Sequence, residues 1–535
     1  MSNCIERALA SWRSVLNADQ IDTKPEALRH YSRSTMPQGT LPAAILRPRS
    51  VEDVQAIARI ATEFGQPIYP ISRGKNWGYG DACAPFDGQV IVDLGLMNRI
   101  VEVNAELGYA VIEPGVTQQQ LSDHLRQRNV PFWLDVTGAG PEASIVGNTL
   151  ERGFGHTPYG DHYHASAGYE IVTGDGRKFT TGFGHYPNAS STYVFKPGIG
   201  PALDGLFTQS NLGIVTRMGV WLLPIPEYLQ GFAFKVDDPR ALDAVVEALR
   251  PLRLTGALPS AVHIANDLRV LSARFRYPWD RTGNVTPLPP DLLAQMRHET
   301  GLGAWNVLGG LYGTRASVAS SRRQLRKALR GIASVKFFDE RIIGLAERVR
   351  DMGAWFGLGK GLGELLKAIV PTFALLKGIP AREHLAGTGW RSRQSPDPQN
   401  LDPLDNRQGF YWISPIIPMM GKNALELVAL MEPIFAKHRF EMLITMTSIT
   451  PRALCCVTTV AFDKEDPEEC ARGSACYDEL FDVLMNRGHI PYRVGIRSMK
   501  KLHPEGDAYW EVVRRMKQTL DPADILAPGR YLPGP

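Results

Sequence analysis

Cysteine is scarce in this chain of 535 residues: Cys4, Cys83, Cys455, Cys456, Cys470 and Cys476 are the whole set, and none stands in a Cys-x-x-Cys pair. Six thiols cannot staple a chain of this length, so a disulfide scaffold, a structural zinc site and thiol redox work are disfavoured, and a reduced, cytoplasmic protein is expected. Long apolar runs are missing as well. No uncharged stretch reaches the roughly 18 residues needed to span a bilayer. The opening MSNCIERALASWRSVL sets charges among its apolar residues and lacks the continuous apolar centre of a secretory signal. Nor is there an excess of one charge. With 59 Lys and Arg against 55 Asp and Glu, the formal net charge is +4, too balanced for a protein that must neutralise many phosphates, so nucleic acid is disfavoured as a partner. No fixed-period repeat or low-complexity tract is evident, which argues against solenoids and propellers.

The composition that remains, 44% hydrophobic and 21% charged, is that of a globular protein with a large core. Domains usually hold about 100–200 residues, and two are expected here. From about residue 40 to 225, helix and strand signals alternate. Ser50 with Asp53 caps the amphipathic run VQAIARIATEFG, and Thr117 with Gln120 forms a capping box before QLSDHLRQRN. QPIYPIS, QVIVDL and YAVIEP read as buried strands, which makes this half α/β or α+β. PIPEY near residue 226 is a break, after which Asp238-Pro239 starts a new helix, ALDAVVEALR. The second half carries helices near 290–300, 315–331, 423–438 and 467–487 and strands near 453–462, and reads as α+β. Residues 392–408 are polar and Pro-rich, a surface loop.

PISRGKNWGYGDACAP (70–85) packs Gly74, Gly78 and Gly80 behind a short strand, a pattern that lets backbone N–H groups converge on an anion such as a pyrophosphate. Its spacing is neither the Rossmann nor the Walker pattern, and many such clusters are only tight turns. Other Gly-punctuated turns accompany it: EPGVT, GNTLERGFGHTPYGDH and QSNLGIVTRMG. Together with LGAWNVLGGLYG, GIPAREHLAGTGWR, IPYRVGIR and DPADILAPGR, these segments resemble the vanillyl-alcohol oxidase and 4-cresol dehydrogenase family of FAD enzymes over nearly the whole chain. The resemblance implies an α+β, two-domain fold: an FAD-binding domain at 1–225, a substrate (cap) domain at 226–495, and a segment at 496–535 returning to the first. It also implies that Ser72, Arg73, Gly74, Lys75 and Asn76 lie on the pyrophosphate loop, and that Gly147, Asn148 and Arg530 face FAD.

The same resemblance assigns Tyr79, Tyr492 and Arg493 to a clamp that holds a small hydrophobic phenol as its phenolate, whose electron density helps expel a hydride from the benzylic carbon. Oxygen or an electron-carrier protein would take the electrons onward. Other readings are a flavin enzyme of the same fold acting on a non-phenolic substrate, or a flavin-binding protein whose catalysis has decayed. Positions where family members tether FAD covalently fall on Trp77, Thr388 and Phe410, which lack the nucleophile, so non-covalent FAD is expected, with His384 nearby as the alternative tether. LDVTGAGPEASIVGN (134–148) lacks the Asp-Leu-Gly carboxylate of the family's oxidases, and Glu142 is the nearest substitute, though an exposed loop position suits it better. ITPRALCC stands where a Met-His-His run is common, so Cys455 and Cys456 suggest an altered, more apolar pocket wall. Asp161 with His162 is a candidate acid–base pair, and His162 with His164 a weak metal candidate without a third ligand, so no metal site is assigned.

MGAWFGLGKGLGELLKAIVPTFALLK (352–377) is an apolar insert. Trp355, Phe356, Leu362, Leu365, Leu366, Ile369 and Val370 could form one helix face that Pro371 ends. It suits a core or homo-oligomer helix, a lid over the substrate channel, or a peripheral membrane contact.

Overall fold

A computed structural model describes residues 2–355, 360–397, 399–504 and 506–532. The apolar runs of the first half form two sheets. Ala44–Leu46, Val90–Asp93 and Ile68–Ile71 pair in parallel, with Ile21–Asp22 antiparallel at one edge. Helix Val51–Phe64 makes the crossover: the Ser50 side chain accepts from Asp53 N at 3.1 Å, Gly65 closes the helix in the left-handed region, and Val54, Ile57, Ala58 and Ala61 pack onto the strands. The second sheet is antiparallel, in the order Ile100–Asn104, Tyr109–Ile112, Ile214–Trp221, Ser166–Val172, Lys178–Thr180. Parallel and antiparallel sheets kept apart in this way make the class α+β. Thr117 caps helix Gln118–Gln127 by accepting from Gln120 N, but the expected capping box is only half formed. Gln120 donates its amide to Asn98 O at 2.7 Å rather than reaching back to the cap.

Beyond Leu223–Pro224 the chain enters an eight-stranded antiparallel sheet, in the order Lys336–Phe338, Tyr228–Val236, Trp305–Gly313, Val262–Asn266, Leu443–Thr450, Ala453–Asp463, Gln408–Ile413, with Ile416–Pro418 also paired to Ala453–Asp463. Helices Leu242–Leu254, Arg315–Ala328, Gly421–Lys437 and Pro467–Asn486 contribute to the core on one face of this sheet, around Phe232, Val262, Ile264, Met446 and Leu454. The period of two decides what the other face presents. Val262 and Ile264 enter the core, so His263 and Ala265 point the opposite way, beside their cross-strand partners Thr447 and Thr445. After helix Ala508–Leu520 the chain returns to the first sheet: Ile68 N donates to Ile525 O at 2.8 Å, and Ala527 N donates to Ile68 O at 2.7 Å.

The apolar insert lies on helices Glu340–Trp355 and Lys360–Leu376. Residues 356–359, and the side chains of Trp355, Leu362 and Leu365 with much of GLGKGLG, fall outside what is described. Pro371 does not end the second helix, which continues to Leu376. Phe373 and Leu376 beyond the proline are buried against Phe338 and Ile343, and this packing outweighs the lost backbone hydrogen bond. Leu366 is also buried. Among the described residues no helix is long and apolar enough to cross a membrane.

Candidate active site

A cavity of about 1240 Å³ lies between the Ser72–Trp77 turn and the face of the eight-stranded sheet opposite that core, with helix Asp267–Arg274 and Leu366, Ile369 and Val370 of the insert forming part of its wall. Pockets for single small molecules usually measure about 300–1,000 Å³, so there is room for a cofactor and a substrate together. All the residues assigned from the sequence line it: Ser72, Arg73, Gly74, Lys75, Asn76, Gly147, Asn148 and Arg530 for the cofactor, and Tyr79, Tyr492 and Arg493 for the substrate.

The cofactor side is built on missing side chains. Gly74 and Gly78 have φ of 64° and 72°, which L-residues rarely adopt, and a Cβ on Gly78 would stand 2.2 Å from Trp412 Cδ1. A Cβ on Gly147 would stand 3.2 Å from Ser72 Oγ, so the turn and helix Ile145–Leu150 meet through backbone. Arg73 Nε is buried without a hydrogen bond among the described residues, a donor suited to an anionic ligand. Lys75 pairs with Asp402 and lies 5.7 Å from the Trp77 ring centroid. These groups fit a dinucleotide pyrophosphate.

Two segments lock together to form the substrate side. Tyr492 N donates to Ser414 O at 3.1 Å, and Ile496 N donates to Tyr79 O at 2.9 Å. The Arg493 guanidinium then sits 4.3 Å from the Tyr79 ring centroid, and the Tyr79 hydroxyl shares a 3.1 Å hydrogen bond with Ser414 Oγ. Burial raises both the Tyr79 and Tyr492 phenols, so at neutral pH each keeps a proton to donate. Arg493 Nη2 donates to Asn76 Oδ1, tying the clamp to the Gly-rich turn. Its Nε lies 3.3 Å from Glu151 Oε2, and Glu151 also pairs with Arg530 and accepts from Tyr531 at 2.8 Å. Two guanidiniums share one carboxylate, which leaves a local positive charge for an anionic oxygen.

Farther along the cavity stand His156, His263 and His384. The His156 ring is 4.7 Å from His263 and 6.3 Å from His384 between centroids. Burial lowers all three, His384 to about 3, so the group is uncharged at neutral pH. His263 Nδ1 is 3.0 Å from Thr447 Oγ1, while His384 Nδ1 has no hydrogen bond among the described residues. Trp77 and Phe410 share one apolar cluster with Leu385, and Thr388, which donates to Leu385 O at 2.6 Å, is close by. The three family tether positions therefore converge.

Other sequence candidates fall elsewhere. Glu142 is exposed and pairs with Arg382 at 3.1 Å, so it does not stand in for the missing carboxylate. Asp161 and His162 are not a pair: Asp161 holds His164 at 2.6 Å on the surface, whereas His162 is buried and bonded to Asn148 at 2.7 Å. Adjacent residues diverge here because the chain is turning. Of the two cysteines, Cys456 joins the core on the far face of the sheet, while Cys455 faces the same side as Val457, near Tyr79 and Tyr492. Sequence reasoning missed Glu151, His263 and Arg269. Glu151 and His156 lie inside the quoted GNTLERGFGHTPYGDH, but only the fold shows their partners.

This architecture and cavity define an FAD-linked oxidoreductase. The FAD binding domain family matches residues 42–182, and the C-terminal domain family of FAD linked oxidases matches residues 390–531. The chain is 38% identical over 531 residues to 1'-carboxy-chondrochloren decarboxylase of Chondromyces crocatus, covering 98% of this chain and 97% of that protein. It is 30% identical, over 98% of this chain and 95% of the relative, to the 4-cresol dehydrogenase [hydroxylating] flavoprotein subunit of Pseudomonas putida. It belongs to the vanillyl-alcohol oxidase and p-cresol methylhydroxylase family of FAD-dependent oxidoreductases. Substrate-bound p-cresol methylhydroxylase superposes with a TM-score of 0.89 at 30% identity, covering 100% of this chain and 98% of that one. The isoeugenol complex of 4-ethylphenol oxidase from Gulosibacter chungangensis gives 0.90 at 27% identity, with coverage of 100% and 98%.

Proposed function

We propose that the protein oxidises a para-substituted phenol by removing a hydride from its benzylic or allylic carbon. The observation that carries this reading is the convergence of Tyr79, Tyr492 and Arg493 on one buried point. Bound FAD supplies the two-electron acceptor. Residues 1–225 and 496–535 would hold it, through Ser72–Asn76, Gly147, Asn148 and Arg530, with 226–495 capping the cavity. The two tyrosine hydroxyls donate to the phenol oxygen, and Arg493, oriented by Glu151 and Asn76, stabilises it as phenolate. Loss of hydride from the phenolate leaves a neutral quinone methide, which either adds water at the same carbon or loses a proton from the next one. Two structural neighbours act, by their names, on p-cresol and 4-ethylphenol. A 4-alkylphenol is expected to reduce the flavin anaerobically, while its O-methyl ether, unable to become a phenolate, is not. Equal reduction by both would transfer the reading to a non-phenolic substrate.

FAD in this protein would be held without a covalent bond, because Trp77, Thr388 and Phe410 offer no suitable nucleophile. Acid precipitation is expected to leave a colourless pellet and a yellow supernatant. A yellow pellet that became colourless in His384→Ala would instead place a tether on His384. Oxygen or an electron-carrier protein would reoxidise the flavin, and the rate in air against that with a cytochrome or dye separates the two.

A further inference from the structure

We propose that the substrate carries a carboxylate and that Arg269 binds it. The proposal deepens the phenol reading above and rests on it for the rest of the ligand. Arg269 stands in the first turn of helix Asp267–Arg274, whose cap Asn266 accepts from Arg269 N at 2.9 Å, and it lines the cavity. Among the described residues its guanidinium has no hydrogen bond and no ion pair, and Nη1 is buried unpaired. It lies 5.8 Å from the Trp412 ring centroid and against Gly387, where a Cβ would come within 2.5 Å of Nη1.

Four other buried or half-buried arginines hold ion pairs or hydrogen bonds. Arg391 holds two carboxylates, Arg253 donates to three backbone carbonyls, and Arg493 and Arg530 share Glu151. An uncompensated buried cation is costly, and such a group persists where a ligand completes it. Among the described residues no carboxylate does so here. Asp267, two residues earlier, faces Arg297 at 3.6 Å, and the neighbouring His384, which Arg269 helps to lower, is neutral. Burial draws Arg269 down only to about 10, so it stays charged at neutral pH.

The chemistry of the surroundings selects the anion. One guanidinium among neutral imidazoles and an indole balances one negative charge, and its planar fork matches a carboxylate. The pyrophosphate of FAD is accounted for by the Ser72–Asn76 turn, which is a different wall of the cavity.

The test titrates the FAD-loaded enzyme anaerobically with 3-(4-hydroxyphenyl)propanoate, 4-propylphenol and 3-phenylpropanoate, reading the flavin absorbance change. The hydroxyphenyl acid is expected to bind wild-type protein about tenfold or more tightly than 4-propylphenol, because a site with a buried polar group discriminates against ligands that leave it unpaired. Arg269→Met should erase that preference, and Arg269→Lys should retain part of it, with FAD content unchanged in both. Equal or tighter binding of 4-propylphenol by wild type would overturn the proposal without needing a variant. So would an unchanged preference in Arg269→Met, or loss of FAD in place of loss of preference. The third ligand separates the two readings. If 3-phenylpropanoate binds as tightly as the hydroxyphenyl acid, and does so through Arg269, the carboxylate site stands and the phenol reading falls. If 4-propylphenol reduces the flavin but neither acid gains from Arg269, the reverse holds.

Discussion

Arg493→Met is expected to slow anaerobic flavin reduction by a 4-alkylphenol about 10²–10³-fold, the usual cost of removing one preorganised group that stabilises charge at a reacting oxygen. The physical reason lies in the local charge count. Arg493 and Arg530 together outweigh the single carboxylate of Glu151, and removing Arg493 leaves Glu151 balanced by Arg530 alone. The phenol oxygen would then face two neutral tyrosine hydroxyls and no net positive charge, so ionisation of the phenol becomes harder at a buried site. Arg493 also donates to Asn76 on the cofactor turn, so FAD occupancy must be measured beside the rate. Stopped-flow reduction over a pH series checks the mechanism as well as the magnitude. The deficit should shrink as pH approaches the ordinary phenol range, where the substrate arrives already ionised, and Arg493→Lys should recover part of the rate. A variant with full FAD content that is reduced as fast as wild type would remove Arg493 from the clamp.

The second large effect is on stability, at a residue that touches no ligand. Arg391 is fully buried; its Nε pairs with Glu441 at 2.9 Å, its Nη1 with Glu469 at 2.8 Å, and its Nη2 donates to Arg439 O at 2.7 Å. Glu441 also accepts from Trp390 Nε1 at 3.0 Å and Leu288 N at 2.8 Å, and Glu469 accepts from Asp463 N at 2.9 Å. Burial pushes the Glu469 carboxyl up, and Arg391 is the largest influence holding it down. Arg391→Met would strand two buried carboxylates and is expected to cost about 3–5 kcal/mol. Arg497→Met, which breaks the more exposed pair with Asp478, should cost under about 1 kcal/mol. Denaturant unfolding of the two variants provides the comparison, and similar losses would deny the buried network its role. Because Arg391 stands two residues beyond the Glu383–Gly389 turn that carries His384 and Thr388, its loss should also loosen that cavity wall.

Much of this molecule can be read from local chemistry. Ser50 before VEDVQAI, Asp466-Pro467 before the Pro467–Asn486 helix and the β-branched QVIVDL each declare an element through interactions reaching only a few residues along the chain. The Gly-rich turn is legible for the same reason, since a positive φ is a property of the residue itself. The failures come where distant packing competes. Pro371 stays inside a helix because Phe373 and Leu376 find a core, and Gln120 leaves its capping box for a carbonyl 22 residues away.

The sequence by itself determined the class of protein: a cysteine-poor, nearly neutral α+β chain whose ordered motifs place it in an FAD-dependent family, with Tyr79, Tyr492 and Arg493 as its candidate clamp. Only the tertiary structure decided which groups share the cavity. His156, His263 and His384 come from segments more than a hundred residues apart, and Arg269 reads in sequence like any other helical arginine. What sets Arg269 apart is a guanidinium with no hydrogen bond or ion pair among the described residues, and whether a buried charge is paired depends on the whole fold.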